Sequence, residues 1–186
     1  RLTAKDYDYI LEDSRAVALI VSEPLLELFT PHLDSHQHLQ KVIVSGTDGN
    51  GHDLLSVLTA TAGAEFETTS TRHDDMCFWL YTSGTTGAPK GSVHIHSSLI
   101  QTADIYAVPI LGITKDDVVY SAAKLFFAYG LGNALTFPMS VGATTVLLAG
   151  MPTPEAVCGI LRDHKPTIFC GVPTLYGMLL ASDELP

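Results

Sequence analysis

The chain has 186 residues, of which 46% are hydrophobic and 16% are charged, and its formal net charge at pH 7 is −10. This composition is typical of a globular protein and excludes an intrinsically disordered chain. The negative charge argues against non-specific binding to nucleic acid or to an anionic membrane, because both need clustered lysine and arginine. Any polyanion must therefore be held locally, by loop amides and a few cations.

Helical and strand patterns alternate along the chain. Helices are predicted at 5–14, 24–33, 52–62, 154–165 and 173–182, and strands at 16–22, 41–46, 76–81, 91–96, 144–149 and 166–172. In the strand at 91–96, alternation predicts that Val93 and Ile95 are buried. Unbroken apolar strands between helices predict an α/β fold, with a mostly parallel sheet covered by helices on both faces.

One further helix is predicted after residue 96. Ser97 is expected to cap it, and one helical face carries Leu99, Ala103, Tyr106 and Ile110. The polar segment 63–75 is expected to lie on the surface.

The cysteines Cys77, Cys158 and Cys170 are odd in number, widely spaced and set among apolar residues, which favours buried thiols in a reducing compartment. No apolar run reaches the length of a membrane span and no signal peptide is visible, so a cytoplasmic protein without a membrane partner is expected. The start at Arg1 and the end at 183-DELP-186 favour a piece of a longer protein.

The segment 81-YTSGTTGAPKG-91 contains three glycines, four serine or threonine hydroxyls and one lysine, which is more than a turn needs. Glycines let main-chain N–H groups approach an anion, the hydroxyls add donors, and Lys90 adds a positive charge. The segment is not a Walker A loop, because Pro89 and Gly91 stand where that motif needs other residues. From composition alone, a phosphate-binding loop and an ordinary solvated loop both remain open.

The order of 82-TSGTTGAPKG-91 resembles the signature loop of the acyl-adenylate-forming enzymes, which include acyl-CoA synthetases, luciferases and peptide-synthetase adenylation domains. The resemblance implies that the loop holds the β- and γ-phosphates of ATP while a carboxylate attacks the α-phosphate. It further implies Mg²⁺ as a cofactor and, in the ligase branch, coenzyme A, whose thiol displaces AMP. The residues expected to bind the phosphates are Thr82, Ser83, Gly84, Thr85, Thr86, Gly87 and Lys90.

A second informative stretch is 121-SAAKLFFAYGLGNALTFPMSVGA-143, where aromatic residues stand beside glycines that permit close main-chain approach. Composition alone also allows a helix start packed on the core. The order 122-AAKLFFAYGLGN-133 resembles the benzoate- and hydroxybenzoate-CoA ligases, and the resemblance continues through 166-PTIFCGVPTLYGMLL-180. It implies that one wall of an aromatic-acid pocket is formed by Phe127, Ala128, Tyr129 and Gly130, whereas Lys124 is expected to be solvated.

The sequence departs from this family in what is missing. The motif that supplies the magnesium-binding acid, the hinge, and the small domain with the catalytic lysine have no counterpart in these residues. We therefore expect 1–186 to be a single partial domain, the central part of the family's large N-terminal domain, with 81–91 as its phosphate-binding loop. No catalytic residue is predicted within the chain, and the chain alone is expected to be inactive and to self-associate.

Other functions were weighed against the aryl-CoA ligase. A folded module that binds nucleotide or aryl acid without turnover, a phosphate-binding regulatory domain, and a ligase for another carboxylic acid all remain open. The histidines His32, His36 and His38 have a spacing that could bind a transition metal, but a polar loop is favoured without a second ligand cluster, so no metal site is predicted.

Overall fold

The computed structural model describes residues 2–82, 88–183 and 185, and the chain divides into two compact units. Unit 1 comprises Arg1–Thr71 and Tyr81–Ser92, and unit 2 comprises Arg72–Leu80 and Val93–Pro186. The single partial domain over 1–186 stays a prediction, because internal contacts alone do not show whether a unit folds by itself. No helix in the described part of the chain has both the length and the apolar character needed to cross a membrane.

Unit 1 is built on a parallel three-stranded sheet in the order β1-β2-β3. Its strands are β1 (Ala18–Ser22), β2 (Lys41–Ser45) and β3 (Asp53–Leu54). Its helices are α1 (Ala4–Ser14), α2 (Leu26–Phe29) and α3 (Leu55–Thr61). A capping box between Thr3 and Asp6 begins α1. The core of this unit is formed by Leu11, Val21, Leu26, Phe29 and Val44.

Unit 2 contains a second parallel sheet, in the order β7-β6-β8. Its strands are β6 (Val118–Ser121), β7 (Thr144–Val146) and β8 (Ile168–Cys170). Two helices, α7 (Pro154–His164) and α8 (Pro173–Leu180), begin at prolines as predicted, because proline suits the first helical turn. They pack on the sheet through Tyr120, Ala122, Val157, Cys158, Leu175 and Leu179.

The remaining helices of unit 2 alternate between α and π geometry. The helix α4 (Ser97–Thr102) continues as a π-helix at Ala103–Leu111. After β6, α5 (Ala128–Leu131) passes through a π segment at Gly132–Thr136 into α6 (Phe137–Val141). A second core cluster of Ala103, Ala107, Ile113, Val119 and Phe137 holds these helices against β6. Short π segments inside α-helices occur frequently at functional sites.

The strands β4 (Met76–Thr82) and β5 (Lys90–Ile95) pair as a two-stranded sheet and flank the predicted phosphate loop. In unit 2, the rings of Phe78 and His94 stack at 4.9 Å. The prediction that Val93 is buried is wrong, because its side chain is 56% exposed.

The parallel pairing predicted from the apolar strands is confirmed, while several element bounds differ. The helix predicted at 24–33 is interrupted: a 3₁₀ turn at Glu23–Leu25 precedes α2, and another at Leu33–Ser35 follows it. Residues 53 and 54 join the sheet as β3 rather than the helix. Helices were expected to cover both faces of the sheet, but they do not cover β1 fully, because Ile20 is 63% exposed there.

The helix after residue 96 was predicted with the wrong start, and only part of the predicted face is buried. Ser97 is its first helical residue, and no side-chain hydrogen bond caps the preceding position. Ala103 and Ala107 are fully buried, whereas Tyr106 is 44% and Ile110 is 71% exposed. The face shifts because a π-helix has more residues per turn than the 3.6 that the sequence pattern assumed.

The three cysteines are all free thiols. Cys158 and Cys170 are buried as predicted. The prediction is wrong for Cys77, which is exposed on β4.

Candidate functional site

The two ends of the predicted phosphate loop lie in the described part of the chain. Thr82 is the last residue of β4 and Lys90 is the first residue of β5, and both are exposed. The other predicted phosphate-binding residues, Ser83, Gly84, Thr85, Thr86 and Gly87, lie outside the described residues. The assignment of these seven residues to ATP phosphates therefore stays a prediction.

The residue directly before Thr82 is held by the first helix of unit 1. The Tyr81 hydroxyl donates a hydrogen bond to Asp13 Oδ2 at 2.7 Å, and the Tyr9 hydroxyl lies 3.5 Å from Asp13 Oδ1. Burial raises the pKa of Tyr81, and the bond to Asp13 and the charge of that carboxylate raise this pKa further. Tyr81 is therefore a neutral donor at pH 7, and its bond ties the end of β4 to α1.

The position of Asp13 is unfavourable for the helix that carries it. Asp13 lies in the last turn of α1, where a negative charge opposes the helix dipole. The bond from Tyr81 offsets that cost, because a hydrogen bond to a charged acceptor is stronger than one between neutral groups.

A concavity of about 270 Å³ lies in unit 2 beside the aromatic- and glycine-rich segment. It is lined by Tyr106, Ala128, Tyr129, Gly132, Asn133 and Phe137. The rings of Tyr106 and Phe137 are 5.8 Å apart. Gly132 permits this arrangement, because a Cβ at that position would lie 3.0 Å from the Phe137 ring. Several aromatic rings with few polar groups suit a small planar ligand.

Both the main chain and the side chain of Tyr129 form hydrogen bonds. Its carbonyl oxygen accepts a hydrogen bond from Asn133 Nδ2 at 2.9 Å, and its hydroxyl lies 3.4 Å from the carbonyl oxygen of Gly171, to which it donates. Burial raises the pKa of Tyr129, and neighbours that include Cys170 raise it further. Burial also raises the pKa of Cys170, against an opposing contribution from its hydrogen bond with Tyr129. Both groups are therefore neutral at pH 7.

The four residues predicted for the aryl-acid wall occupy different positions. Ala128 and Tyr129 line the concavity. Phe127 precedes α5, is 57% exposed, and packs its ring 4.5 Å from that of Phe126. Gly130 is buried, and a Cβ there would lie 2.0 Å from the carbonyl oxygen of Lys124. Gly130 thus allows a close main-chain contact, and the pocket assignment of all four residues stays a prediction.

Sequence reasoning missed the other lining residues of the concavity. Tyr106 was predicted only as part of one helical face, and Gly132 only as a glycine that permits close main-chain approach. Asn133 and Phe137 were not singled out. A signal was present, because Gly132, Asn133 and Phe137 belong to the same aromatic- and glycine-rich stretch. The meeting of Tyr106 with Phe137 depends on packing between helices that are distant in sequence.

A larger open depression in unit 1, of about 520 Å³, has a different chemistry. It is lined by Glu23, Pro24, Leu26, Glu27, Thr30, Asp48 and Asn50. The three carboxylates among these residues would repel a phosphate or an aryl carboxylate. This depression is therefore unsuited to either predicted ligand.

The histidines that follow α2 contact acidic residues of α1. His36 Nε2 and His32 Nδ1 lie 3.0 Å and 3.3 Å from Asp8 Oδ1, and His36 Nδ1 lies 3.2 Å from Glu12 Oε2. In the described residues, no group of three or more His, Cys, Asp or Glu side chains has the arrangement of a metal site. These contacts tie the segment after α2 to α1.

The family model described as AMP-binding enzyme matches residues 1–186. The benzoate–CoA ligase of Thauera aromatica is 58% identical over 185 residues, which cover 100% of this chain and 35% of that protein. The chain thus spans about a third of the length of this curated relative.

Two solved structures have the same fold. A benzoate CoA ligase from Burkholderia xenovorans LB400 matches with a TM-score of 0.90 and 48% identity, covering 100% of this chain and 36% of that one. The anthranilate CoA ligase AuaEII, solved in complex with anthranoyl-AMP, matches with a TM-score of 0.93 and 33% identity, covering 98% and 36%. The predicted α/β fold and the predicted resemblance to benzoate-CoA ligases are both confirmed.

Proposed function

Because the chain belongs to the AMP-binding enzyme family, we propose that it is part of an ATP-dependent ligase for benzoate or a substituted benzoate. The ligase activates the carboxylate as acyl-AMP and transfers the acyl group to coenzyme A. The observation that carries this proposal is the aromatic concavity of unit 2, which occurs in a chain 58% identical to a benzoate–CoA ligase.

The concavity binds the aromatic ring of the acid in this proposal. Tyr106, Tyr129 and Phe137 surround the ring, and the packing of Tyr106 against Phe137 favours a flat ligand over a long flexible one. Phe127, Ala128 and Gly130 complete the wall, with Gly130 acting through the main-chain contact that it permits. Both Tyr129 and Cys170 are neutral at pH 7, so no negative charge on these groups opposes an aryl carboxylate.

The phosphate-binding residues perform positioning and charge stabilisation. A carboxylate oxygen of the acid attacks the α-phosphorus of ATP, the bond from that phosphorus to the bridging oxygen breaks, and pyrophosphate leaves with the electron pair. Main-chain N–H groups, hydroxyls and the Lys90 ammonium stabilise the negative charge on the leaving group. The residues proposed for this task are Thr82, Ser83, Gly84, Thr85, Thr86, Gly87 and Lys90.

Coenzyme A acts in the second half of the proposed reaction. Its thiolate attacks the acyl carbonyl, the bond to AMP breaks, and a thioester forms. Mg²⁺ supplies charge neutralisation on the phosphates in such reactions, but the described residues offer no cluster that fits it, so no step here is assigned to the metal. The proposal also places the protein in aromatic-acid degradation in the cytoplasm, where free thiols such as Cys77 stay reduced.

The proposal is tested on the full-length protein that carries this chain. CoA-dependent release of AMP is measured over a panel of benzoate, hydroxy-, amino- and halobenzoates, a bile acid and a long-chain fatty acid. We expect the aryl acids to give the highest kcat/KM. Preference for the fatty acid or the bile acid would show that the concavity does not select aromatic rings, and would contradict the proposal.

A binding module without turnover is the second candidate function. It is favoured by one observation: every residue that lines the concavity lies between positions 106 and 137, so the described residues form it without any other segment. Calorimetric titration of the 186-residue chain with benzoate and with ATP separates the candidates. Binding to the short chain, together with no AMP release by the full-length protein, would favour the module.

A further inference from the structure

Lys124 has well-defined partners, whereas the sequence predicted a solvated side chain. It lies between β6 and α5 and is half-buried. Its ammonium donates to the carbonyl oxygens of Leu148 and Gly150, in the segment that follows β7. The prediction that Lys124 is simply solvated is therefore wrong.

The charge of Lys124 is balanced by main-chain dipoles. Among the residues that the structure describes, no carboxylate is recorded within salt-bridge distance of its ammonium nitrogen. An ammonium has three N–H donors and no acceptor, and hydrogen bonds from a charged donor are stronger than neutral ones. Two donors on two carbonyls of one short segment therefore hold that segment in a defined position.

The main chain of the same residue contacts the start of α5. The carbonyl oxygen of Lys124 accepts a hydrogen bond from the Phe127 N–H at 3.1 Å. Gly130 packs directly on that carbonyl, since a Cβ on Gly130 would lie 2.0 Å from its oxygen. Lys124 thus connects two segments: its side chain binds residues 148–150, and its backbone supports α5.

The position of α5 determines where one wall of the concavity lies. Ala128 and Tyr129 are the first two residues of this helix and both line the concavity. The Leu131 N–H donates to the Phe127 carbonyl at 2.8 Å, so the first turn of α5 is built on the residue that Lys124 holds. A shift of Lys124 would therefore move Ala128 and Tyr129 together.

We propose that Lys124 is a positioning residue that sets the aryl-binding wall by clamping residues 148–150 to the start of α5. It acts through Phe127 and Gly130 and does not itself touch the aromatic acid. This inference rests on the proposed function for its kinetic consequence, while the clamp itself is a structural property that can be measured separately.

The test compares Lys124→Met with Lys124→Arg in the full-length protein, with the exposed Lys115→Met as the matched control. Methionine keeps the length of the aliphatic side chain and removes the charged donors, whereas arginine restores them. We expect Lys124→Met to raise KM for benzoate about tenfold, equivalent to about 1.4 kcal/mol, with KM for ATP within about twofold of wild type. Lys124→Arg should recover most of the affinity, and Lys115→Met should resemble wild type.

Amide hydrogen exchange gives a readout that does not need activity. Peptides covering residues 125–133 should exchange about tenfold faster in Lys124→Met than in wild type or Lys124→Arg, because the first turn of α5 opens more easily. Unchanged exchange in this region would overturn the clamp, whatever the kinetics show. The clamp would also be overturned if Lys124→Met raised KM for benzoate and KM for ATP by the same factor and also lowered the melting temperature. That combination indicates a general structural defect. If the wild-type protein activates no aryl acid, the proposed function is wrong. The amide hydrogen exchange of residues 125–133 still shows whether Lys124 holds α5 in place.

Discussion

Single hydroxyl–carboxylate contacts hold connecting segments in both units. In unit 1, Asp13 receives the Tyr81 hydroxyl directly before the predicted phosphate loop. In unit 2, Asp117 Oδ1 accepts from the Thr167 hydroxyl at 2.7 Å, and Asp117 Oδ2 accepts from the Thr114 N–H at 2.7 Å. The contacts of Tyr81 with Asp13 and of Thr167 with Asp117 join residues far apart in sequence, and each can be tested by removing one donor or one charge.

Tyr81→Phe should destabilise the chain by about 1 kcal/mol, because it removes a hydrogen bond to a charged acceptor at a partly exposed site. The raised pKa of Tyr81 favours the neutral hydroxyl in the folded state, so this stability is present below the usual value of 10.0 and is lost as the pH rises above it. Urea unfolding of both proteins between pH 7 and pH 11 measures the effect. Tyr9→Phe, which removes the longer 3.5 Å contact, should cost less; an equal cost would contradict the role assigned to Tyr81.

Asp117→Asn should lower the melting temperature at pH 7 and have a smaller effect in acid. The hydrogen bonds from Thr167 and Thr114 hold the pKa of Asp117 below its usual value of 3.8. The stability that this carboxylate contributes is therefore present above pH 3.8 and is lost as the pH falls through the lowered pKa. Thermal unfolding from pH 7 to pH 2.5 should show the two curves converging. The neighbouring Asp116→Asn is the control, and a similar pH-dependent difference there would refute the assignment.

At the scale of elements, the π segments decide which side chains reach the concavity. The π-helix at Ala103–Leu111 buries Ala103 and Ala107 and leaves Tyr106 at the concavity. The π segment at Gly132–Thr136 joins α5 to α6 and brings Phe137 close to Gly132. Regular α-helical phase would have placed Tyr106 on the same face as Ala103, as the sequence pattern predicted.

Gly130→Ala should destabilise the protein by about 1–3 kcal/mol, because the new Cβ would collide with main-chain carbonyls that cannot rotate away. The added atom would lie 2.0 Å from the Lys124 oxygen and 2.6 Å from the Ala123 oxygen. Gly177→Ala in α8 is the matched control, since nothing lies within 4 Å of its Cβ position and alanine favours a helix by about 1 kcal/mol. Chemical denaturation of both variants decides this: a neutral Gly130→Ala would show that α5 is not packed on residues 123–124.

At the scale of the whole molecule, the chain holds residues proposed for two ligands. It covers 35% of the length of the Thauera benzoate–CoA ligase. The candidate aryl-acid concavity lies in unit 2, and the ends of the predicted phosphate loop belong to unit 1. No residue within the chain was assigned a catalytic role from its sequence.

The 186-residue chain by itself should form no detectable benzoyl-AMP, because the motifs that the family resemblance assigns to the magnesium-binding acid and the catalytic lysine have no counterpart in these residues. Benzoate-dependent ATP–pyrophosphate exchange is the measurement, with the full-length protein as the positive control. Robust exchange by the short chain would contradict this expectation.

The short chain should also self-associate. Large apolar side chains are exposed on several helices of unit 2, including Ile105 at 69%, Ile110 at 71%, Met139 at 71% and Leu180 at 77%. Exposed apolar surface of this kind favours association in water. Light scattering across a range of protein concentrations tests this, and a constant monomer mass at high concentration would count against it.

Sequence alone determined the features that depend on neighbouring residues. Apolar runs predicted parallel strands, prolines predicted the starts of α7 and α8, and the order of residues 82–91 and 122–133 indicated the family. These signals are local, because β-strand burial, helix initiation and loop chemistry are each expressed within about ten residues. They were sufficient for the fold class and for the kind of protein.

Tertiary structure decided the features that depend on contacts between distant segments. The pairing of Tyr106 with Phe137, the bond from Tyr81 to Asp13 and the contacts of Lys124 with residues 148–150 each join positions separated by more than twenty residues. Packing also selected π geometry over the α-helical phase and left Val93 exposed. The physical reason is that such contacts are fixed by which segments meet when the core forms, and no local pattern of residues encodes that choice.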